Sequence, residues 1–278
     1  MILDIQLDED IRSWLKEDIP YWDVSFVDTE DEIVQARIVS KDHGIIAGSK
    51  VLQRIYHLLG VELIEIKEDG QRVDYGDVVA RLKGKASKIL QAERVSLNIL
   101  GHMSGIATYT RNLVEEIKNQ GLNTRIAATR KTLPGLRKYQ KWAVIIGGGD
   151  THRLDLSSMA LIKENHIAAY GGVEEAIDEV RNRISFSHKI EIEVTTNEEA
   201  LTAAKKYIDI IMLDNFSPDQ IKAILPKIKE INDKVLIEAS GGITEETILD
   251  YSRSGVDIIS LGKLTHSVSN FDVSLLID

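Results

Sequence analysis

The spacing of apolar residues splits the chain into a mixed first third and a regular remainder. Residues 9–17 carry apolar positions at helical intervals, and Pro20, which lacks a donor and restricts Ile19, makes 18–23 a loop. From 32 to 47 the period falls to two, with Val34, Ala36, Ile38 and Ser40 on one face and a turn at His43-Gly44, which predicts a strand. A helix is predicted over 49–59, stopped by Gly60, then strands over 63–67 and 76–82 separated by Glu68-Asp69-Gly70-Gln71. Between 86 and 120 the residues Ile89, Leu90, Val95, Leu97, Leu100, Met103, Ile106 and Ala107 return to helical spacing. Gly101 and Gly105 interrupt that stripe, so two consecutive helices and a domain boundary near Gly101 are expected.

After Gly121 the pattern becomes an alternation of strand and helix. Short apolar runs bounded by turn residues lie at 125–129, 143–146, 159–163, 189–194, 208–214, 235–240 and 257–262, as expected of parallel strands buried on both faces. Thr196-Asn197-Glu198-Glu199 and Ser217-Pro218-Asp219-Gln220 have capping-box spacing, the second with Pro at the first helical position. Such units close with right-handed crossovers into an open sheet or a barrel. The absence of Gly-x-Gly-x-x-Gly after the first strand, and the glycine-rich loops after the last two, favour a barrel.

Composition restricts function without naming one. The 278 residues, 43% of them hydrophobic, suffice for a barrel-sized domain and a smaller one. The lack of cysteine excludes disulfides, thiolate zinc sites and cysteine nucleophiles, and accords with a reducing cytosol. The acidic N-terminus has no signal-peptide character and no apolar run approaches the ~20 residues that span a bilayer, so a soluble cytoplasmic protein is expected. A formal net charge of −10 opposes non-specific nucleic-acid binding, which needs a basic footprint, and leaves small anions as ligands.

Against that acidic background, residues 125–167 hold eight Lys or Arg and three acids, a local balance of +5. The cations Arg125, Arg130, Lys131, Arg137, Lys138, Lys141, Arg153 and Lys163 alternate with the apolar runs 143–146 and 159–162, which places them at the ends of buried strands, where an anion must arrive to pair with them. Barrel enzymes keep their chemistry at the C-terminal ends of strands. Here those ends read Thr129-Arg130-Lys131, Gly147-Gly148-Gly149, Lys163, Glu193, Asp214, Ser240-Gly241-Gly242 and Leu261-Gly262. One such residue alone is most often solvated or capping; the whole set points to a site. Ser240-Gly241-Gly242-Ile243-Thr244 is expected to open a helix, and with Gly262-Lys263 to cradle a phosphate on free backbone N–H groups. Glu193 and Asp214 offer oxygen ligands suited to Mg²⁺ carried in with a polyphosphate rather than to a dedicated cage. His152 and His166 lack the spacing of a zinc site, and no transition metal is assigned.

The run Asp69 to Ala80, which begins with Asp69-Gly70 and ends in Gly76-Asp77-Val78-Val79-Ala80, resembles the sandwich of biotinyl and lipoyl carrier domains, but no Met-Lys-Met or Asp-Lys-Ala hairpin follows. A second resemblance covers nearly the whole chain. The blocks Glu93-Arg94-Val95-Ser96-Leu97-Asn98, Met103-Ser104-Gly105-Ile106-Ala107-Thr108, Thr129-Arg130-Lys131-Thr132-Leu133-Pro134-Gly135-Leu136-Arg137, Gly147-Gly148-Gly149-Asp150-Thr151-His152-Arg153, Leu161-Ile162-Lys163-Glu164-Asn165-His166, Met212-Leu213-Asp214-Asn215, Glu238-Ala239-Ser240-Gly241-Gly242-Ile243-Thr244 and Leu261-Gly262-Lys263-Leu264-Thr265-His266-Ser267 are similar, in order, to the quinolinate phosphoribosyltransferases, the carboxylating nicotinate-nucleotide pyrophosphorylases.

That resemblance implies an N-terminal α/β sandwich domain over 1–100, with the tail 267–278 packed back on it, and an incomplete seven-stranded α/β barrel over 101–266. It implies phosphoribosyl transfer from phosphoribosyl pyrophosphate to quinolinate with decarboxylation, in a homodimer with shared active sites whose further assembly stays open. Arg130, His152, Arg153 and Lys163, with Arg94 of the neighbouring subunit, fall to quinolinate. Lys131, Glu193, Asp214, Ser240, Gly241, Gly242 and Gly262 fall to phosphoribosyl pyrophosphate, with Lys131, Glu193 and Asp214 catalytic and Mg²⁺ on Glu193 and Asp214. The chain departs from the family's usual pattern at Ala128, Asp150-Thr151 and Glu164. A molybdenum-associated paralogue of the same fold and a non-catalytic phosphometabolite-binding barrel are the alternatives. The intact Lys163-Glu164-Asn165-His166 block speaks against the first, and the combination of Arg130, Arg153 and Lys163 against the second.

Overall fold

The computed structural model describes residues 2–25 and 32–278. In chain order the elements are α1 (Asp4–Asp18), β1 (Ile33–Ser40), β2 (Gly44–Ile45), α2 (Ser49–Leu58), β3 (Glu62–Ile66), β4 (Arg72–Val73), β5 (Val78–Lys85), α3 (Ala86–Asn119) and β6 (Arg125–Ala128). There follow α4 (Arg137–Gly147), β7 (Ala160–Ile162), α5 (Glu164–Tyr170), α6 (Val173–Arg183), β8 (Ile190–Val194), α7 (Asn197–Lys205), β9 (Ile210–Asp214), α8 (Pro218–Ile231), β10 (Leu236–Ser240), α9 (Ile248–Arg253), β11 (Ile258–Leu261), α10 (Lys263–His266) and β12 (Val273–Ile277). They form two compact units, one of Met1–Arg111, Pro134–Gly148 and Ser267–Asp278, the other of Asn112–Leu133 and Gly149–His266. No helix of the described residues is long and apolar enough to cross a membrane.

The first unit is built on an antiparallel sheet in the order β12-β1-β5-β3. The period-two pattern of β1 buries Ala36, Ile38 and Ser40, and β12 joins its edge with Ala36 opposite Ile277 and Ser40 opposite Val273. The run 143–146, expected as a strand, lies inside helix α4 of this unit. Four consecutive apolar residues do not decide between helix and strand; the residues around them do, because Tyr139, Ala143 and Gly147 recur at intervals of four and are buried together with Gln140 and Val144. The N-terminal turn of α4 is held to α1 by the Tyr139 hydroxyl and Lys138 Nζ, both 2.5 Å from Asp10 Oδ2, and by Trp14 edge-on to Tyr139.

Gly101 and Gly105 do not divide a helix pair either. Helix α3 runs unbroken from Ala86 to Asn119. A Cβ at Gly105 would stand 2.1 Å from the Ser269 carbonyl oxygen, and one at Gly101 2.6 Å from that of Phe271, so these glycines let the C-terminal segment cross the helix at backbone distance. Gly105→Ala should therefore lower the stability of the protein by about 1–2 kcal/mol, the overlap outweighing alanine's better helix propensity. Urea unfolding measures it, and an unchanged midpoint would mean that the segment gives way without cost.

The second unit carries a parallel sheet in the order β6-β11-β10-β9-β8-β7. Both expected capping boxes are present: Thr196 and Ser217 accept from the N–H groups of Glu199 and Gln220, and those side chains return the bond. The helices bury short apolar faces, Ala200, Ala203 and Ala204 on α7 and Ile221, Ile224 and Ile228 on α8, while Ile192, Ile211 and Ile237 fill the sheet between. The seven expected strands become six among the described residues. The place next to β6 is taken by one bridge, Ala127 to Asp150, rather than by 143–146.

Candidate active site

Parallel strands with period-two alternation send every second residue to the same face. Glu193 on β8 is level with Met212 on β9, Met212 with Glu238 on β10, and Asp214 with Ser240. These rows open at the strand ends into a cavity of about 620 Å³, lined by Arg130, Lys131, His152, Arg153, Lys163, Glu193, Asp214, Ser240, Gly241, Gly242 and Gly262. All the expected site residues of the second unit are thus gathered in one place. Arg94 is on α3 in the first unit and exposed. The +5 segment itself divides. Arg137, Lys138 and Lys141 lie on α4, Lys138 already paired with Asp10, and Gly148 is the left-handed cap of that helix rather than a strand end.

Two of the cations that line the cavity, Arg130 and Arg153, are poorly satisfied by the chain itself. Arg130 Nε is buried with no hydrogen-bond acceptor, which costs stability unless an anion enters. Arg153 donates only weakly, at 3.4 Å, to the Met159 carbonyl; burial and then the nearby Arg130 guanidinium lower its proton affinity, with Glu191 opposing. Lys163 Nζ is paired with Glu193 Oε2. Asp214 is raised above the usual carboxylate range by burial and then by Glu193, against the pull of Lys163 and Lys131. The Lys131 loop is fixed by its N–H to Thr129 Oγ1 and its carbonyl to the Thr265 hydroxyl.

The glycine loop differs from expectation in one respect. Helix α9 starts at Ile248, after a turn at 245–247, so Ser240-Gly241-Gly242 does not sit on a helix N-terminus. Its anion-binding capacity rests on its own backbone. Gly241 has φ +90, and a Cβ there would overlap Asn215 Oδ1 at 2.4 Å, while Asn215, itself at φ 59, donates its N–H to the Ser240 carbonyl and its amide to Asp214 Oδ2.

Comparison with known proteins decides the lineage. The family model of the quinolinate phosphoribosyl transferase C-terminal domain matches residues 106–276, and that of the N-terminal domain residues 23–104. The chain belongs to the quinolinate phosphoribosyltransferase family. It is 43% identical over 259 residues to a probable nicotinate-nucleotide pyrophosphorylase (carboxylating) of Archaeoglobus fulgidus, covering 92% of this chain and 98% of that one. It is 41% identical over 270 residues to the protein so described in Methanothermobacter thermautotrophicus, covering 95% and 96%. Among solved structures, the nicotinate-nucleotide pyrophosphorylase from Francisella tularensis superposes with a TM-score of 0.93 at 33% identity, covering 100% of this chain and 98% of the other.

Within this member of the quinolinate phosphoribosyltransferase family, the floor of the cavity holds a group that the sequence reading passed over. His152 Nε2 lies 3.1 Å from Glu238 Oε2 and 3.2 Å from Glu191 Oε2, and both glutamates are completely buried. Burial and then the Glu238 carboxylate, against His152 and Arg153, raise Glu191. Ligand atoms of the three lie within 4.8 Å of one another, close enough to share a cation. The tautomer opposes that use. Burial disfavours charge on His152, but the two carboxylates outweigh it and raise the imidazole to about 10; against full protonation, Nδ1 accepts the Arg153 main-chain N–H at 2.8 Å, which needs a lone pair there, and in either form the Nε2 that faces the carboxylates carries a proton.

The departures from the family pattern acquire reasons here. Asp150 bridges β6 and accepts the His152 N–H at 2.7 Å, holding His152 at φ 52, while Ala128 is wholly buried beside it and Glu164 starts α5. His166 is a cap: its Nδ1 accepts the Lys163 N–H. A usable signal for Glu191 and Glu238 existed, since each is an acid inside an apolar strand two residues before a polar strand end.

Proposed function

We propose that this protein transfers the phosphoribosyl group of phosphoribosyl pyrophosphate to the ring nitrogen of quinolinate and releases CO₂ and pyrophosphate, leaving nicotinate mononucleotide. The observation that carries this reading is the buried, unpartnered Arg130 Nε beside Arg153 and Lys163, a group of cations that a dicarboxylate satisfies and a neutral ligand does not. Arg130, Arg153 and Lys163 hold the carboxylates. His152, given to the same carboxylates by the family resemblance, has both ring nitrogens engaged within the chain and closes the floor instead. Lys131, Asp214 and the Ser240-Gly241-Gly242 and Gly262 backbones face the phosphates, and Glu193, clamped by Lys163, faces the ribose.

Asp214 fits a divalent cation, being a half-buried carboxylate whose charge Glu193 disfavours and a cation would favour. Mg²⁺ bound with the pyrophosphate would neutralise part of the leaving group's charge. The chain's own contribution is positional and electrostatic. Lys131 meets charge that builds on pyrophosphate as the ribose carbon turns oxocarbenium-like, and the clamped carboxylates keep the pyridine nitrogen, already a nucleophile, in line with that carbon. No general base is needed for the transfer. Arg94, exposed on α3, serves the partner's site in a homodimer.

Purified protein with Mg²⁺ and phosphoribosyl pyrophosphate should release CO₂ from carboxyl-labelled quinolinate. Nicotinate, with one carboxylate, leaves a cation unpaired and should be used at least about a hundredfold less efficiently. Absence of labelled CO₂, or equal use of nicotinate, would refute the reading.

A further inference from the structure

We infer that Lys263 binds the phosphate on the ribose, and that Glu245 holds its ammonium group beside the glycine loops until that phosphate arrives and takes the carboxylate's place. This rests on the phosphoribosyl transfer proposed above, and it adds to that site a cation supplied by a side chain rather than by backbone.

The glycine cradle has two arms on neighbouring strands. Ser240-Gly241-Gly242 ends β10, Gly262 follows β11, and the strands pair in parallel with Glu238 level with Ile258. Both arms line the cavity, and Lys263 lines it with them. Lys263 leaves the β11 arm, yet its Nζ reaches Glu245 Oε1, three residues beyond Gly242 on the other arm, at 3.3 Å. Its side chain therefore crosses from one arm to the other. Between them there is space for an anion: Gly241 and Gly242 have φ +90 and +62, and a Cβ on Gly242 would meet nothing within 4 Å.

Charge at this rim explains why a cation is needed. Glu245 and Glu246 stand together on the turn that follows Gly242, and Glu246 is held below the usual carboxylate range by its bond to Thr244 and, more weakly, by Lys263. Without Lys263, the two carboxylates would repel an incoming phosphate. The Lys263–Glu245 pair is itself easily exchanged. Each side chain is 49% exposed, and ion pairs in that setting contribute little to stability. A phosphate monoester carries about −1.5 to −2 charge and three acceptor oxygens against a single charge on Glu245, so the ammonium gains by the exchange. Asp214, one strand further on β9, is left to the pyrophosphate and its cation. The loops after the last strands are where parallel barrels bind a lone phosphate.

Calorimetric titration with ribose 5-phosphate, in the absence of divalent cation, isolates this contact. Lys263→Ala should weaken binding about tenfold, the low end for a charge-assisted hydrogen bond because the group is half exposed. Quinolinate affinity should stay within about twofold. Glu245→Gln should tighten ribose 5-phosphate about two- to threefold, because the ammonium no longer has to leave a carboxylate. Opposite signs separate the two roles: an ion pair that only ties the loops together would lose affinity in both variants. If Lys263→Ala leaves the affinity unchanged, if Glu245→Gln fails to tighten it, or if quinolinate loses as much, the proposal is overturned. Wild-type protein that binds phosphoribosyl pyrophosphate but not ribose 5-phosphate overturns it too, since the cradle then holds no phosphate of its own. Wild-type protein that binds neither would instead sink the phosphoribosyl reading.

Discussion

Lys163→Ala should weaken quinolinate binding by about 2–5 kcal/mol, or roughly thirty- to several-thousand-fold, with a much smaller loss for phosphoribosyl pyrophosphate. The structure gives the sign of each part. Without Lys163, one carboxylate of the ligand loses its cation while Arg130 and Arg153 remain close enough that Arg130 depresses Arg153. Glu193 loses its ion-pair partner and stands uncompensated beside Asp214, whose proton affinity burial and Glu193 already raise. That added negative charge repels a dicarboxylate further, but it strengthens the hold on a cation arriving with pyrophosphate. Asp214→Ala should do the reverse, weakening phosphoribosyl pyrophosphate more than quinolinate. Calorimetric titration of each variant with each ligand measures both. Equal losses for the two ligands would refute the division of roles, and would mean that the Lys163–Glu193 pair couples the two halves of the cavity.

The parts of this site that were legible in the sequence are those where local chemistry and position coincide. Glu193, Asp214 and Ser240 end buried parallel strands, and a charged or small polar residue after an apolar run of that kind has few other reasons to be there. Misreadings arose where a short apolar run had to be judged without its neighbours. The stretch 143–146 reads equally well as strand and as helix, and only the buried Tyr139 and Gln140 one turn earlier decide it. Gly101 and Gly105 read as breaks because a glycine's cost in a helix is visible locally, while the carbonyls of Phe271 and Ser269 that require them are more than 160 residues away. Glu191 and Glu238 were hidden for a related reason. Each looks like an odd charge in an apolar strand, and its meaning depends on the other strand and on His152, whose orientation is set by the Asp150 turn.

Mixing two inactive variants should restore about one quarter of wild-type activity. The variants are Arg94→Ala and Lys131→Ala, and the result follows from the proposed homodimer with shared sites. Arg94 is exposed on a helix after Glu93, so its bland role would be a helix-surface ion pair worth a few tenths of a kcal/mol. The family resemblance instead gives it to the neighbouring subunit's quinolinate. Lys131 lines the cavity of its own subunit, its stem passing over Gly262, where a Cβ would come within 2.9 Å of Lys131 Cδ. Each variant alone should be nearly inactive, since every site lacks one cation. After unfolding and refolding together in equal amounts, about half of the dimers are mixed. In a mixed dimer one site carries both defects and the other carries neither, which returns about one active site in four. If Arg94 acts within its own subunit, every site in every dimer keeps one defect and mixing restores nothing. A tagged pull-down shows whether mixed dimers have formed; recovery absent from a population that contains them would remove Arg94 from the partner's site and leave the reaction assignment intact.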